Sequence, residues 1–318
     1  MAAVGGFAKI VVVTRKTMLE ELVERHGTRG QARFLAESRG ESFAAVEQAH
    51  EAYERGRQSL RKALPAGVRC QWIERGFLPN FLFGPHDLVV TLGPDGLVVN
   101  VAKYLVTQPV LAVNPDAERI DGVLVPFQVG GAAAALTAAL AGSIPVRRIT
   151  MARARLDDGQ TIDGVNDLFI GIQSHASARY RIEYRRRSEN QSSSGVIVST
   201  GAGSTGWYRS VMTGAAGLAM AHLGKQAVGN LADRYPFDAT ARELRFSVRE
   251  PFTSLSSAAG IVCGPITGGE TLDVVSQMPV GGVIFSDGME QDFVRFEAGM
   301  RARIGIADRC LELLWPAA

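Results

Sequence analysis

The sequence predicts an α/β protein in two parts, a parallel βαβ region followed by a β-rich, largely antiparallel region. Three observations carry this. Short apolar runs at residues 9–13 (KIVVV), 87–92 (DLVVTL) and 109–114 (PVLAVN) are separated by stretches of helical character, the order expected of βαβ units. Residues 18–62 place apolar side chains at three- and four-residue intervals among charges, which suits amphipathic helices lying on a sheet. Beyond residue 146 the texture changes to short β-prone runs broken by turn residues.

The elements follow in chain order. KIVVV is β-branched and continuous enough for a buried strand, and Thr14 begins a polar connection. MLEELVERHG and SFAAVEQAHEAYERGRQSLRKAL are the helical segments, with Gly27 as C-cap of the first. DLVVTL is a second buried strand, residues 97–105 a helix, and PVLAVN a third strand. The alanine-rich run at 130–146 is expected as a core helix, since it lacks the roughly 20 bulky apolar residues a membrane span needs. In the second region, Asp158-Gly159 marks a hairpin between RRITMARARL and TIDGVNDLFIGIQ. ARYRIEYRRR, SGVIVST, RELRFSVRE, GIVCG and GGVIFSDG continue the strands, with Ser286-Asp287-Gly288 as a hairpin turn.

Composition narrows the class. The chain has 318 residues, 46% hydrophobic and 21% charged, as in ordinary globular proteins of two domains. Its 34 basic and 32 acidic residues leave a net charge of +2, so nothing global points to nucleic acid or an anionic membrane. Cys70, Cys263 and Cys310 lie far apart without zinc or disulfide spacing, which favours a reducing cytoplasm. The five histidines are likewise scattered, and His175 alone lies near a candidate loop. Arg181, Arg185, Arg186 and Arg187 form the densest basic cluster and read as a charged strand edge.

Three loops stand out as sites of chemistry: Gly93-Pro94-Asp95-Gly96, Val165-Asn166-Asp167, and STGAGSTGW at 199–207. The first ends a buried strand, where ligands of open α/β sheets bind. The third follows a strand and leads into an apolar helical segment, so its exposed N–H groups suit an anion, with Ser204 and Thr205 adding hydroxyl donors. GAGSTG also fits G-x-G-x-x-G, but a dinucleotide fingerprint needs a strand ending in an acid about 20 residues on. HLGKQAVGNLADRYPF at 222–237 supplies none, which argues against a nicotinamide dehydrogenase.

Together the loops carry a resemblance to the NAD kinase family, whose signatures are a GGDGT-type loop, an Asn-Glu or Asn-Asp pair and a loop of the STPTGSTAY kind. LGPDGLV, VNDLFIG and VIVSTGAGSTGW stand in that order over roughly residues 85–290. PVLAVNPD, FIGIQSHASARYRIEY and the Trp-ended third loop are similar to the branch containing mitochondrial and some plant NADH kinases. The resemblance implies a Rossmann-like α/β nucleoside-phosphate domain over 1–125, a β-rich sandwich domain binding NAD over 126–295, and a segment at 296–318 packing back on the first. It implies Asp95 as the catalytic aspartate and Asn166 with Asp167 as the nucleotide-holding pair. Thr205 and Ser210 match dinucleotide-contacting hydroxyls, and Gly93, Gly96, Thr200, Gly201, Gly203, Ser204 and Trp207 belong to the same binding loops. NAD or NADH is the implied substrate, ATP or polyphosphate the donor, Mg²⁺ the cation, and a homodimer or homotetramer the assembly.

Where the family has a second glycine and a threonine in the first loop, this chain has Pro94 and Leu97. Proline has no N–H to offer a phosphate, and leucine removes a hydroxyl. Ser194 stands where many bacterial members have Asp. Taken alone, Pro-Asp-Gly is also a favoured turn, and Asn-Asp a common strand entry. Three functions therefore stay open: a phosphotransferase, a non-catalytic dinucleotide-binding relative, and a kinase of another small molecule on the same fold.

Overall fold

The computed structural model describes residues 6–224 and 235–317, so most of the stretch weighed against the dehydrogenase lies outside the described residues. The chain forms two compact units, Met1–Arg147 with Leu311–Ala318, and Arg148–Cys310. These limits differ from divisions at 125 and 296 because the alanine-rich helix packs in the first core and only the last residues of a long strand return to it.

In the first unit the elements are β1 (Lys9–Thr14), α1 (Met18–His26), α2 (Arg29–Ser38), α3 (Phe43–Ala63), β2 (Cys70–Glu74), β3 (Asp87–Leu92), α4 (Asp95–Ala102), β4 (Val110–Asn114), the short β5 (Phe127–Gln128) and α5 (Ala132–Leu140). β2, β1, β3 and β4 pair in that order, all parallel, and Leu313 pairs parallel with Val110 on the far side of β4. β1, β3 and β4 are apolar on both faces because helices cover the sheet, which is why their sequences show no alternation. Ile10, Val12, Leu88, Val90, Leu111 and Val113 form one core with Tyr53, Leu60, Leu136 and Leu314.

Thr17 caps α1 in a capping box with Glu20, and Gly27 closes it at φ 84° as its position suggested. Two elements escape sequence patterning. α2 buries only Ala32 and Ala36 while Phe34 stands exposed, so its apolar spacing misleads. β2 begins Cys70-Gln71 with both side chains exposed.

The second unit contains β6 (Val146–Leu156), β7 (Thr161–Gly164), β8 (Asp167–Ile172), β9 (Ala178–Tyr184), β10 (Arg187–Ser193), β11 (Val196–Ser199), α6 (Trp207–Leu223), β12 (Glu243–Val248), β13 (Cys263–Thr267), β14 (Leu272–Ser276), β15 (Gly282–Ser286), β16 (Phe293–Arg295) and β17 (Arg301–Leu314). One antiparallel sheet runs β13-β12-β11-β8-β15-β16. A second antiparallel layer contains β10-β9-β14-β17, and β6 and β7 pair around the expected Asp158-Gly159 hairpin. Leu168, Ile170, Val198 and Phe246 of the first sheet meet Tyr180, Ile182, Val274 and Ile304 of the second, giving a sandwich core. The α/β class with a β-rich second part is therefore the observed fold.

ARYRIEYRRR is not one strand. Arg185 and Arg186, at φ 45° and 64°, form a two-residue turn, and β10 returns antiparallel to β9. Arg185 offsets the strain with two bonds to Glu270, at 2.8 and 3.0 Å. β10, RSENQSS, is polar yet partly buried: Gln191 and Ser193 both bond the Tyr180 hydroxyl inside the sandwich.

Candidate functional site

In the first unit, β3 runs into the loop at 93–96. Pro94 is the N-cap of α4 at φ −75°, an extended conformation that the pyrrolidine ring favours, so the loop accepts proline without strain. Gly93 donates its N–H to Val113 O at 3.1 Å, and Leu97 donates to Pro94 O at 2.9 Å. The N–H groups of Asp95 and Gly96 have no main-chain acceptor among the described residues. Leu97, 2% exposed, packs on Gly93: a Cβ there would lie 2.9 Å from Leu97 Cδ2. The bare face of Gly93 is thus filled by Leu97. Asp95 turns its carboxylate towards the chain, accepting from Val123 N at 3.1 Å and Leu124 N at 2.7 Å. Each oxygen retains a lone pair.

Tyr53 of α3, unremarked in the sequence, braces this loop. Its hydroxyl donates to Leu92 O and accepts from Arg15 N, both at 3.1 Å, so it ties the carboxyl ends of β3 and β1 together. Burial pushes its pKa up to about 12, which keeps the hydroxyl a donor at any ordinary pH.

In the second unit, the turn at 165–167 and the loop at 199–207 form one interlocked body. Thr200 donates its N–H to Asn166 O at 2.9 Å and its hydroxyl to Val165 O at 2.5 Å. Gly203 N donates to Thr200 Oγ1 at 3.2 Å, and Ser204 Oγ donates to Gly201 O at 2.6 Å. The glycines have a packing reason. A Cβ on Gly203 would sit 2.0 Å from Asn166 O, and one on Gly201 2.1 Å from Asp238 O.

The expectation that Ser204 adds a free donor is corrected here, because its hydrogen is committed within the loop and the residue is buried. Thr205 and Ser210 are exposed at the start of α6. Trp207 stacks on Phe169 at 5.5 Å between centroids, and with Phe285, Arg249 and Glu290 it lines a cavity of about 500 Å³. β11, which feeds the glycine-rich loop, pairs antiparallel with β8 and β12, whereas a dinucleotide fingerprint requires a parallel βαβ unit. GAGSTG is therefore not a dinucleotide fingerprint of the βαβ kind. His175 is exposed in the β8–β9 connection.

Asp167 is 6% exposed, and its Oδ1 has no partner among the described residues. Burial, reinforced by the nearby Asp287 charge, pushes its pKa up to about 7. Asn166 is half-buried, and no bond of its side-chain amide is seen among the described residues. A buried carboxyl and an amide left unpaired are what a polar ligand would satisfy. Sequence reading set aside the Ser286-Asp287-Gly288 turn as a hairpin, yet Asp287 accepts from the amides of Val165, Asn166 and Asp167. Only the contact across 120 residues reveals this.

For a cation the fit is poor. Among the described residues no group of three His, Cys, Asp or Glu side chains could hold a metal ion. A Mg²⁺ would have to arrive on phosphate oxygens with at most one or two carboxylates helping. Nor is any described helix long and apolar enough to cross a membrane.

No protein-family profile matches the chain, and no curated protein matches it in sequence. Solved structures do match its fold. A yeast NADH kinase complexed with NADH superposes with a TM-score of 0.61 at 14% identity, over 97% of this chain and 84% of that one. An NAD kinase from Archaeoglobus fulgidus in complex with ATP superposes with a TM-score of 0.56 at 14% identity, over 96% of this chain and 93% of that one. The chain has the fold of the NAD(H) kinases.

Proposed function

We propose that this protein is an NAD kinase-like phosphotransferase, moving a phosphoryl group from ATP or a related donor such as polyphosphate to the adenosine-ribose 2′-hydroxyl of NAD or NADH. The observation that carries this reading is the interlocked pair of loops around Asn166 and the buried, unpaired Asp167 Oδ1. They stand on a fold shared with kinases solved with NADH and with ATP. Asn166 and Asp167 hold the nucleoside by its polar edges, and the aromatic wall of Trp207 and Phe169 suits a planar ring.

Asp95 aligns the acceptor hydroxyl and takes its proton late, since a carboxylate is a weak base towards a sugar hydroxyl and positioning supplies most of the catalysis. The helix start at Asp95 and Gly96 offers two N–H groups to an anion. A divalent cation would come with the donor's phosphates and would offset their charge, since the described residues supply no cluster of their own to hold it. An assembly of two or four chains in the cytoplasm belongs to the same reading. α6 leaves Leu218, Met220 and Leu223 exposed, apolar side chains that a second chain would cover. Sedimentation at micromolar concentration is expected to give a multiple of the chain mass, and L218E with L223E to reduce it.

A second reading, a dinucleotide-binding relative without turnover, is favoured by one observation. Both Asp95 oxygens accept main-chain N–H groups, in a loop lacking the Pro94 donor and a Leu97 hydroxyl. Incubation with NAD or NADH, ATP or polyphosphate, and Mg²⁺ decides between them. NADP or NADPH formation is expected, lost in Asp95→Asn with nucleotide affinity largely kept. Tight NAD binding without product from any donor selects the second reading.

A further inference from the structure

The Ser286-Asp287-Gly288 turn does more than reverse the chain. Asp287 and Gly288 stand in the left-handed region at φ 58° and 69°, one residue beyond the last β15–β8 pair, Ser286 with Leu168. That backbone swing aims the Asp287 carboxylate at the start of β8. Oδ1 accepts from Asn166 N at 2.7 Å and Asp167 N at 3.3 Å, and Oδ2 accepts from Val165 N at 3.1 Å. Asp287 N in turn donates to Asp167 O at 3.0 Å. Three successive amides converging on one carboxylate fix the backbone of the turn that presents both candidate ligand-holding side chains, and charge-assisted bonds of this kind are roughly twice as strong as neutral ones.

We propose that Asp287 is the positioning residue of the nucleotide site, holding the turn at 165–167 so that the Asn166 amide and the Asp167 carboxyl face the ligand in one fixed arrangement. The proposal rests on the reading of those two side chains as nucleotide-holding. A plain turn role predicts something different. Asp tolerates φ above zero through its short polar side chain, and Gly and Asn tolerate it at least as well. If the turn were all that mattered, Asp287→Gly and Asp287→Asn would be neutral.

The carboxylate has an electrostatic consequence as well. β11 and β15, which flank β8, contribute no charged residue, so among the described residues Asp287 is the charge that faces Asp167. Removing it while keeping the turn makes Asp167 easier to ionise.

The test compares wild type with D287N and D287G in three measurements. Calorimetry with NAD and NADH is expected to show affinity falling about tenfold or more in both variants, with D287N melting above D287G because its amide oxygen still accepts from the turn. Asp167→Asn combined with D287N should cost less than the two single losses together, because both act on one turn. Carbon NMR of labelled aspartate in the ligand-free protein should show the Asp167 titration midpoint moved down, with altered amide shifts at residues 165–167. Unchanged affinity in two well-folded variants overturns the proposal. If wild type binds neither dinucleotide, the proposed function fails on its own. The ligand-free spectra then test the hold on the turn by itself: unmoved amide shifts at residues 165–167 reject a positioning role for Asp287.

Discussion

A carboxyl group buried as deeply as that of Asp167 keeps its proton unless a partner replaces the lost water. In the folded chain it titrates near 7, held up by burial first and Asp287 second, and in the unfolded chain near 3.8. Between these values the folded state holds one proton more than the unfolded state, so stability declines as pH rises from about 4 to about 7 and is flat above. Asp167→Asn removes that decline. The variant is expected to melt several degrees above wild type at pH 8 and level with it at pH 4, a gain of up to about 4 kcal/mol if the whole shift is realised. Equal melting at pH 8 would show that the carboxyl is already satisfied. At this scale the sequence is uneven. Asn166 and Asp167 are visible as a pair at a strand entry, and Asp95 is visible between two glycines. Asp287 and Tyr53 are not, because each acts through main-chain groups far along the chain, and no local pattern encodes such a partner.

Elements are legible where burial is uniform or alternates cleanly. β1, β3 and β4 stand out as apolar runs since both faces are covered, and the Asp158-Gly159 hairpin by its turn pair. β10 hides because its inward residues are Gln191 and Ser193, whose burial depends on the Tyr180 hydroxyl. α2 hides because Phe34 faces solvent. The loop between β3 and α4 shows how an element can be set by its brace. Pro94 fixes the entry, Leu97 seals Gly93, and Tyr53 joins the ends of β3 and β1. Tyr53→Phe keeps the ring packing but leaves Arg15 N–H and Leu92 O without this bridge. It should cost about 1–3 kcal/mol in urea unfolding. A smaller loss would mean that water enters and takes over both bonds.

At the scale of the whole molecule, two units and a change from parallel to antiparallel pairing follow from the sequence texture, while the position of their limits does not. The alanine-rich helix could serve either core by composition, and only Ala132, Leu136 and Leu140 packing with Ile10 and Leu88 assign it. β17 was the least legible long element, as its charged residues interrupt the alternation that Ala302 and Ile304 would otherwise display. Its last residues pair with β4 and bury Leu314 in the first core, after the chain has laid down the whole of the second unit between them. During synthesis, then, the first unit is made early and completed late. A fragment of residues 1–147 is expected to collapse but to show broad, poorly protected amides at the Val110 end of β4, and adding a peptide of residues 308–317 should sharpen them. Closing a loop that long is slow compared with pairing neighbours. The Val110 end of β4, which β5 does not reach, is therefore the place where a nascent chain of this protein waits longest for its own partner, and where it is most exposed to pairing with another.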